Sequence, residues 1–463
     1  MNNKGKITIF LTLLLSAVLL LGMTALNVAS LYVAKGKAAM AAKSAVSGVK
    51  ASYNSYIFEH YHILLFDKNA NGRGEGYLEE QCMRDMDANI PEGCEVSEVS
   101  VSEYELLMDN DCLEFKRQIE DYMKYAAVEY GVDNILSSTG GKDGTLPEEA
   151  EYDFENNEGT SELQNENETD NEDTEEIEDP REFTAHMTDE DITGDMGEAS
   201  YVSVDMSELP SKKHNFNEKY ESVNRQFDDE DICKKDLENY SSWGDKLIDG
   251  GNGVAYAKSV FNSRINSEKN TDSVLRYEME YLVCGEDSDR KNFQGAMNRI
   301  IAIRFPINYA FLISDPQKNS QITTLAVPLA AMTLTPPSVV KHLIAGCWAY
   351  VEAVAEARNL AKGKRLPFTK NNANWLTDLD NLGGTIDSDA EEDIHGLDYE
   401  DYLMILMAVD MDKTFYRMLD IMQINARQEN SGFYMKNAAT GLVLDSVVRV
   451  NGHEIKTRTE EKY

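Results

Sequence analysis

Three groups of side chains in this sequence have the types and spacing that chemistry requires. Glu352 and Glu356 stand four apart in a helical run, so both carboxylates leave one face, as a general acid–base pair or a metal site would need. Arg358 and the run Lys362-Gly363-Lys364-Arg365 follow, cations suited to the negative carboxyl end of that helix. The pattern is therefore expected to be a solvated, salt-bridged helix end. His60 and His62 flank Tyr61 beside Glu59; two apart on a helix they point about 200° away from each other and do not share a metal ion. Asp67, Asn69, Asn71 and Gly72 open like a calcium-binding EF-hand loop, which needs a bidentate carboxylate at its twelfth position to complete the oxygen shell. That position holds Leu78, and Glu79 and Glu80 come too late, so a Gly-rich polar turn is expected instead. The other histidines, His186, His214, His342, His395 and His453, form no ligand-spaced pair. No P-loop, G-x-S-x-G, H-E-x-x-H or dinucleotide-binding turn occurs. No catalytic, cofactor-binding or metal-ligating residue and no cofactor is thus expected, and the chain is read as a non-enzyme.

The elements that would position these groups begin with an apolar run. From Ile7 to Ala34 the chain passes 28 residues without a charge. At about 1.5 Å per residue this spans roughly 40 Å, more than a bilayer's hydrocarbon core. A transmembrane helix over 7–34 in contact with the lipid bilayer is expected, with 1–6 as a cytoplasmic amino terminus. A cleaved secretory signal is the rival, but its apolar core is about half as long and a small-x-small cleavage site follows it. Lys4 and Lys6 precede the span while Lys35, Lys37, Lys43 and Lys50 follow it, against the positive-inside rule; large domains translocate largely regardless of charge. The expected localisation is the cell membrane, single-pass, with the bulk of the chain extracytoplasmic. Lys35–Lys50 is alanine-rich, and Tyr53, Tyr56, Ile57, Tyr61, Leu64 and Leu65 recur at helical steps, which predicts one long helix with a stalk over 35–66.

Net charge is −38, from 44 basic and 82 acidic residues, which argues against nucleic acid as a partner because phosphate binding needs a basic face. Asp143–Glu198 holds 23 Asp and Glu against one Arg, so this stretch carries −22 of the total. Few aliphatic residues accompany them, which predicts an acidic disordered linker over 143–198. It separates the first part of the extracytoplasmic body, 67–142, from the second, 199–463. Cys82, Cys94, Cys112, Cys233, Cys284 and Cys347 show no C-x-x-C pair and no zinc spacing; the first three could bridge outside the cell.

Within the body, Glu95–Tyr104 alternates like a strand and Leu113–Leu136 has helical spacing. Asp249–Arg264 reads as a Gly-rich turn before an amphipathic helix, Tyr277–Val283 as a strand, and Phe293–Phe311 as a helix interrupted at Pro306. Asn319–Val340 is uncharged for 22 residues, but Pro328 and Pro336-Pro337 suit a buried helical hairpin better than a second span. Lys341–Ala361 is a strong helix, and another starts at Asp398, capped with Asp401. It runs or breaks into Phe415–Ile424. Gly432–Lys456 is strand-like, with Asn451-Gly452 as a hairpin turn. The fold class is α+β and mainly helical: a transmembrane helix continuing into a stalk, a helical body with small antiparallel sheets, and an acidic insert.

Taken in order, KGKITIFLTLLLSAVLLL, SYNSYIFEHYHILLFD, YEMEYLVCG, CWAYVEAVAEARNLAKGKRLPF, GLDYEDYLMIL and RMLDIMQINAR resemble an uncharacterised Gram-positive domain family found with tight-adherence (Flp/Tad) pilus loci. That family is similar to the minor pseudopilins TadE and TadG. The resemblance covers most of residues 4–450 apart from the acidic insert, and implies a membrane-anchored, outward-facing part of a pilus or secretion apparatus with other pilus-assembly proteins as partners. It implies no substrate and no catalytic residues. One position departs from the prepilin pattern: five residues after Gly5, where a prepilin carries Glu, stands Phe10. A permanent anchor fits that departure better than processing. A surface-exposed ligand- or adhesion-type binding protein on the same anchor is the alternative.

Overall fold

The computed structural model describes residues 3–74, 76–130, 179–216 and 243–463. Residues 131–136 of the expected helix, Cys233 and the acidic stretch 143–178 lie outside them. In chain order the main elements are α1 (Asn3–Ala51), α2 (Ser55–Tyr61), β1 (Phe66–Asp67), α3 (Gly76–Asn89), β2 (Cys94–Leu106), α4 (Asp109–Tyr130), α5 (Pro180–His186), α6 (Asp189–Thr193), α7 (Trp243–Val260), α8 (Glu278–Cys284), α9 (Asp289–Ser314), α10 (Pro316–Thr333), α11 (Pro337–Ala361), α12 (Tyr399–Val409), α13 (Met411–Glu429), β3 (Ala438–Val450) and β4 (His453–Lys462). They divide between two compact units, one of Met1–Tyr122, Met206–Ile232 and Phe415–Tyr463, the other of Met123–Asp205 and Cys233–Thr414.

In the first unit, α1 is 49 residues of unbroken helix, roughly 74 Å at the usual rise. Its apolar half is wholly unburied and is long and apolar enough to cross a membrane. From Ala34 onward the same helix presents a small-residue face: Ala34, Ala38, Ala41, Ala42, Ala45 and Val46 are buried. They pack in one core with Val96 and Val99 of β2, Leu442, Leu444 and Val448 of β3, and Leu78, Cys82 and Met86 of α3. Lys43 and Lys50, beside this buried face, pair with Glu461 of β4 at 3.4 and 3.5 Å. Lys50 also donates to the Lys462 carbonyl at 2.8 Å, and the Tyr463 hydroxyl donates to the Lys50 carbonyl.

The stalk does not continue to residue 66. α1 stops at Ala51, and Asn54, in an extended conformation, starts a new helix by accepting the Ile57 amide at 3.0 Å. That helix closes at His62, which takes the left-handed conformation with φ 56°. The aromatic period after Tyr53 therefore belongs to a separate short helix and loop, whose Tyr56, Ile57, Tyr61, Ile63 and Leu65 are buried.

The sheet is antiparallel throughout, with β3 pairing to β1, β2 and β4. The alternating Glu95–Tyr104 segment lies within β2 as expected. Its buried valines fall three apart because the register shifts between Val96 and Glu98, and a bulge re-aims the strand. Asn451 and Gly452 take φ 50° and 80°, the left-handed pair that a two-residue hairpin turn demands, and they join β3 to β4.

The second unit's named elements are helical. α10 and α11 form the expected hairpin, turning at Leu334, but only its inner side is buried and its tip is exposed; α12 opens on the Asp398–Asp401 capping box and ends at Asp410 before α13 begins. Four expectations fail here. Tyr277–Val283 is no strand: α8 is buried at all seven of its positions, and a helix enclosed on every side has no polar stripe to reveal a helical period. α9 runs through Pro306 without a break, and Arg304 and Asn308 on either side of it both reach Glu356. The glycines after Asp249 lie inside α7, where burial of Val254, Tyr256, Ala257 and Val260 overrides their weak helix propensity. Residues 179–198, expected within the disordered linker, are folded. α5 is capped by Asp179, α6 by a Thr188–Asp191 capping box, and the guanidinium of Arg358 donates to the Glu190 and Asp191 carbonyls at 3.1 and 2.6 Å.

Cys82, Cys94 and Cys347 are free thiols; burial pushes the Cys82 thiol up to about 12, with Asp85 and Glu79 adding to the effect. The packing of α1 yields a direct expectation. Ala45 is fully buried, so Ala45→Leu overpacks the helix–sheet core and should lower stability by about 1–3 kcal/mol in chemical denaturation. An unchanged midpoint would show that α1 does not pack on the sheet through this face.

Candidate functional site

Glu352 and Glu356 lie on α11 in the row Ile344, Trp348, Glu352, Glu356, four residues apart throughout. Ile344 and Trp348 are core residues, and the row stays inside: Glu352 is 0% and Glu356 2% exposed. The solvated helix end expected from the sequence is thus overturned. The two carboxylates sit in a closed cluster with Arg304 of α9 and Lys370 of the loop after α11.

Arg304, also 0% exposed, meets Glu356 side-on, with Nε donating to Oε2 at 2.9 Å and Nη2 to Oε1. Its Nη1 donates to the Pro367 and Phe368 carbonyls at 3.1 and 2.9 Å and to the Tyr402 hydroxyl at 3.1 Å. Lys370 Nζ lies 2.6 Å from Glu352 Oε1 and 2.8 Å from Glu356 Oε1, and donates to the Asn374 carbonyl at 2.8 Å. Glu352 further accepts the Leu376 and Thr377 amides, each at 2.9 Å, and the Thr377 hydroxyl at 2.7 Å. Two cations therefore face two anions. Burial works against the Glu356 charge, but Lys370 and Arg304 outweigh it and hold that carboxyl below its ordinary value. For Glu352, burial raises the value and Lys370 offsets this only in part.

Beside the cluster is an open cleft of about 530 Å³, lined by Glu356, Asn371, Trp375, Asp389, Glu392 and Asp393 among others. Glu356 contributes to its wall with both oxygens already engaged. The arrangement clamps the loop 366–377 between α9 and α11. Within the cluster both carboxylates are already held by protein donors. The basic residues after Glu356 bind the stretch that follows: Arg358 pairs with Asp387, Lys364 with Asp389 at 3.2 Å, and Arg365 with Asp398 at 3.3 Å.

The same device recurs at α8. Glu278 accepts the Asn262 amide at 2.7 Å and the Ser273 hydroxyl at 2.6 Å, and Glu280 accepts the Arg264 amide at 3.0 Å. Glu280 is 0% exposed, and burial pushes its carboxyl up to about 7 against the pull of the Arg264 amide, with the Asp289 charge adding to the rise.

The remaining candidates lie in the first unit and do not converge. The Asp67 carboxylate accepts the Asn69 and Asn71 amides, both at 2.9 Å, so it closes a turn, and Leu78 is buried in the core. His62 caps α2 and stacks on Tyr122 with ring centres 4.5 Å apart, while His60 lies against Tyr56. Burial, then the His60 charge, lowers the His62 value. Among the described residues, no three His, Cys, Asp or Glu side chains are placed to hold a metal ion. Arg304 and Lys370 were missed in the sequence because neither is near Glu356 along the chain. The available signal was that Glu352 and Glu356 continue the row of Ile344 and Trp348.

Two measurements follow. Glu356→Ala leaves Arg304 and Lys370 buried without their shared partner and should cost roughly 3–5 kcal/mol. A double-mutant cycle with Arg304→Met should recover a large part of that loss, and strict additivity would show the pair to be uncoupled. Glu280 sets a pH dependence. A carboxyl raised in the folded state contributes stability that is complete below its ordinary value near 4.5 and is lost as pH rises through about 7. Wild type should therefore lose roughly 3 kcal/mol between pH 4 and 8 relative to Glu280→Gln. Parallel pH curves for the two proteins would refute the burial of an ionisable group there.

Comparison with known proteins gives a family and nothing nearer. No curated protein sequence matches the chain. No solved structure matches it. One family profile does, over residues 168–450, a span of more than half the chain that takes in α5 to α13 and β3. The chain belongs to DUF5702, a family of unknown function.

Proposed function

We propose that this protein is a membrane-anchored, non-enzymatic structural or assembly component of a tight-adherence type IV-like pilus or secretion apparatus, with its body outside the cell. The observation that carries the reading is the division of α1. One half is apolar and unburied, and the other packs by an alanine face onto an antiparallel sheet and α3. A pilin-type subunit needs that division: one half of the helix for lipid or neighbouring helices, the other to carry a folded body. The full engagement of the Glu352–Glu356 cluster supports the non-enzymatic part, since every group in it serves the loop it holds. With Phe10 where a prepilin carries Glu, the helix has no buried carboxylate to set filament register, so the anchor is permanent. Lateral contact would then use Ser16, Ala17, Gly22 and Ala25, which permit close approach of helices.

The membrane-extracted protein should begin at Met1 or Asn2 by intact mass and resist alkaline carbonate extraction. A start at Lys6 would mean prepilin-type processing, and a start near Ser30 a cleaved secretory signal and no anchor. Protease added to intact wall-stripped cells should digest the body; digestion only after lysis would reverse the orientation.

A further inference from the structure

The α10–α11 hairpin ends in an apolar tip that carries no charge from Asn319 to Val340, in a chain of which 27% of residues are charged. The hairpin's inner side is core: Ile322, Ala326, Leu329, Val340 and Ile344 are buried. Around the turn the apolar side chains point the other way. Val327, Met332, Val339 and Leu343 are exposed, and Leu334 at the apex is 94% exposed. We infer that this tip dips into the interfacial layer of a lipid bilayer.

The polar groups of the tip distinguish lipid from a protein partner. Hydrocarbon requires backbone and hydroxyl donors to be satisfied from within, whereas water or a polar protein rim does not. The Leu334 and Thr335 amides both donate to the Ala330 carbonyl, and the Val339 and Val340 amides both donate to the Pro336 carbonyl. Pro336 and Pro337 have no amide hydrogen, and the exposed Ser338 amide and hydroxyl, with no acceptor among the described residues, are left to headgroups and water. The hydroxyls of Thr323, Thr324 and Thr333 donate to the carbonyls four residues before them, and that of Thr335 to the Thr333 carbonyl. The threonines that dilute this segment's hydropathy are thus turned back onto their own helix.

The nearest charge sets the depth. Lys341 follows the turn on α11, and the helical rise between Thr335 and Lys341 limits entry to roughly 10 Å, the depth of the headgroup and upper acyl region. The hairpin therefore lies in one leaflet and does not span. This contact goes beyond the anchor and does not need it, because a hairpin tip enters a bilayer peripherally whatever becomes of the first helix.

The test uses the full chain reconstituted into mixed phosphatidylcholine–phosphatidylglycerol vesicles. Leu334 and, as a solvent reference, the exposed Ile394 are replaced in turn by an environment-sensitive fluorescent amino acid. The expected result is a blue-shifted emission at position 334 that spin-labelled lipid quenches and aqueous iodide does not, with the reverse at position 394. Quenching by iodide equal at both positions would overturn the inference. So would shielding of position 334 from both quenchers, which would mean that a second copy or another protein covers the tip. Carbonate extraction of the same vesicles reads the anchor separately, so either reading can fail without the other.

Discussion

A guanidinium removed from water must find acceptors for its N–H groups, and Arg304 finds them on three separate stretches of chain. Glu356 takes two, the Pro367 and Phe368 carbonyls and the Tyr402 hydroxyl take the rest, and Lys370 closes the cluster from the loop side. Charges at this depth are costly unless paired and hydrogen-bonded, so each member is tolerated only while the others stay in place. α9, α11, α12 and the loop after α11 are thereby fixed as one piece. The cluster resembles an acid–base site in its residue types, and both of its carboxylates are held by protein donors.

That constraint explains how so acidic a chain folds. Part of its negative charge is turned inward, where Glu278, Glu280, Glu352 and Glu356 accept loop amides and hydroxyls that would otherwise be buried without partners. A carboxylate is well suited to this because its two oxygens accept several donors at once. Irregular loops in the second unit are held by helix-borne acids as much as by apolar packing. Where burial is complete and a cation is not at hand, as at Glu280, the carboxyl is pushed toward its neutral form.

The first unit depends on a different constraint. A single helix has to be apolar all round in one half and one-sided in the other. The change comes at Ala34, where burial begins and lysines enter the sequence. Alanine at the buried positions brings the helix close to the sheet, and Lys43, Lys50, Glu461 and Tyr463 fasten the edge. The lysines that oppose the positive-inside rule thus include two that have a packing role in the body.

The sequence by itself determined the features that local chemistry controls. Twenty-eight uncharged residues specify a membrane-length helix, Asn451-Gly452 a tight hairpin, Asp398 with Asp401 a helix start, and Pro336-Pro337 the turn of a helical pair. Each rests on steric or hydrogen-bonding preferences confined to a few neighbouring residues. Tertiary structure decided the rest. Burial on every side erased the helical period of α8, packing carried α9 through Pro306, and Arg358 drew part of an acidic stretch onto the body. It also decided the fate of Glu352 and Glu356: their spacing is legible along one helix, but their partners come from another helix and a later loop, and only their meeting determines whether a carboxylate pair faces water or a buried guanidinium.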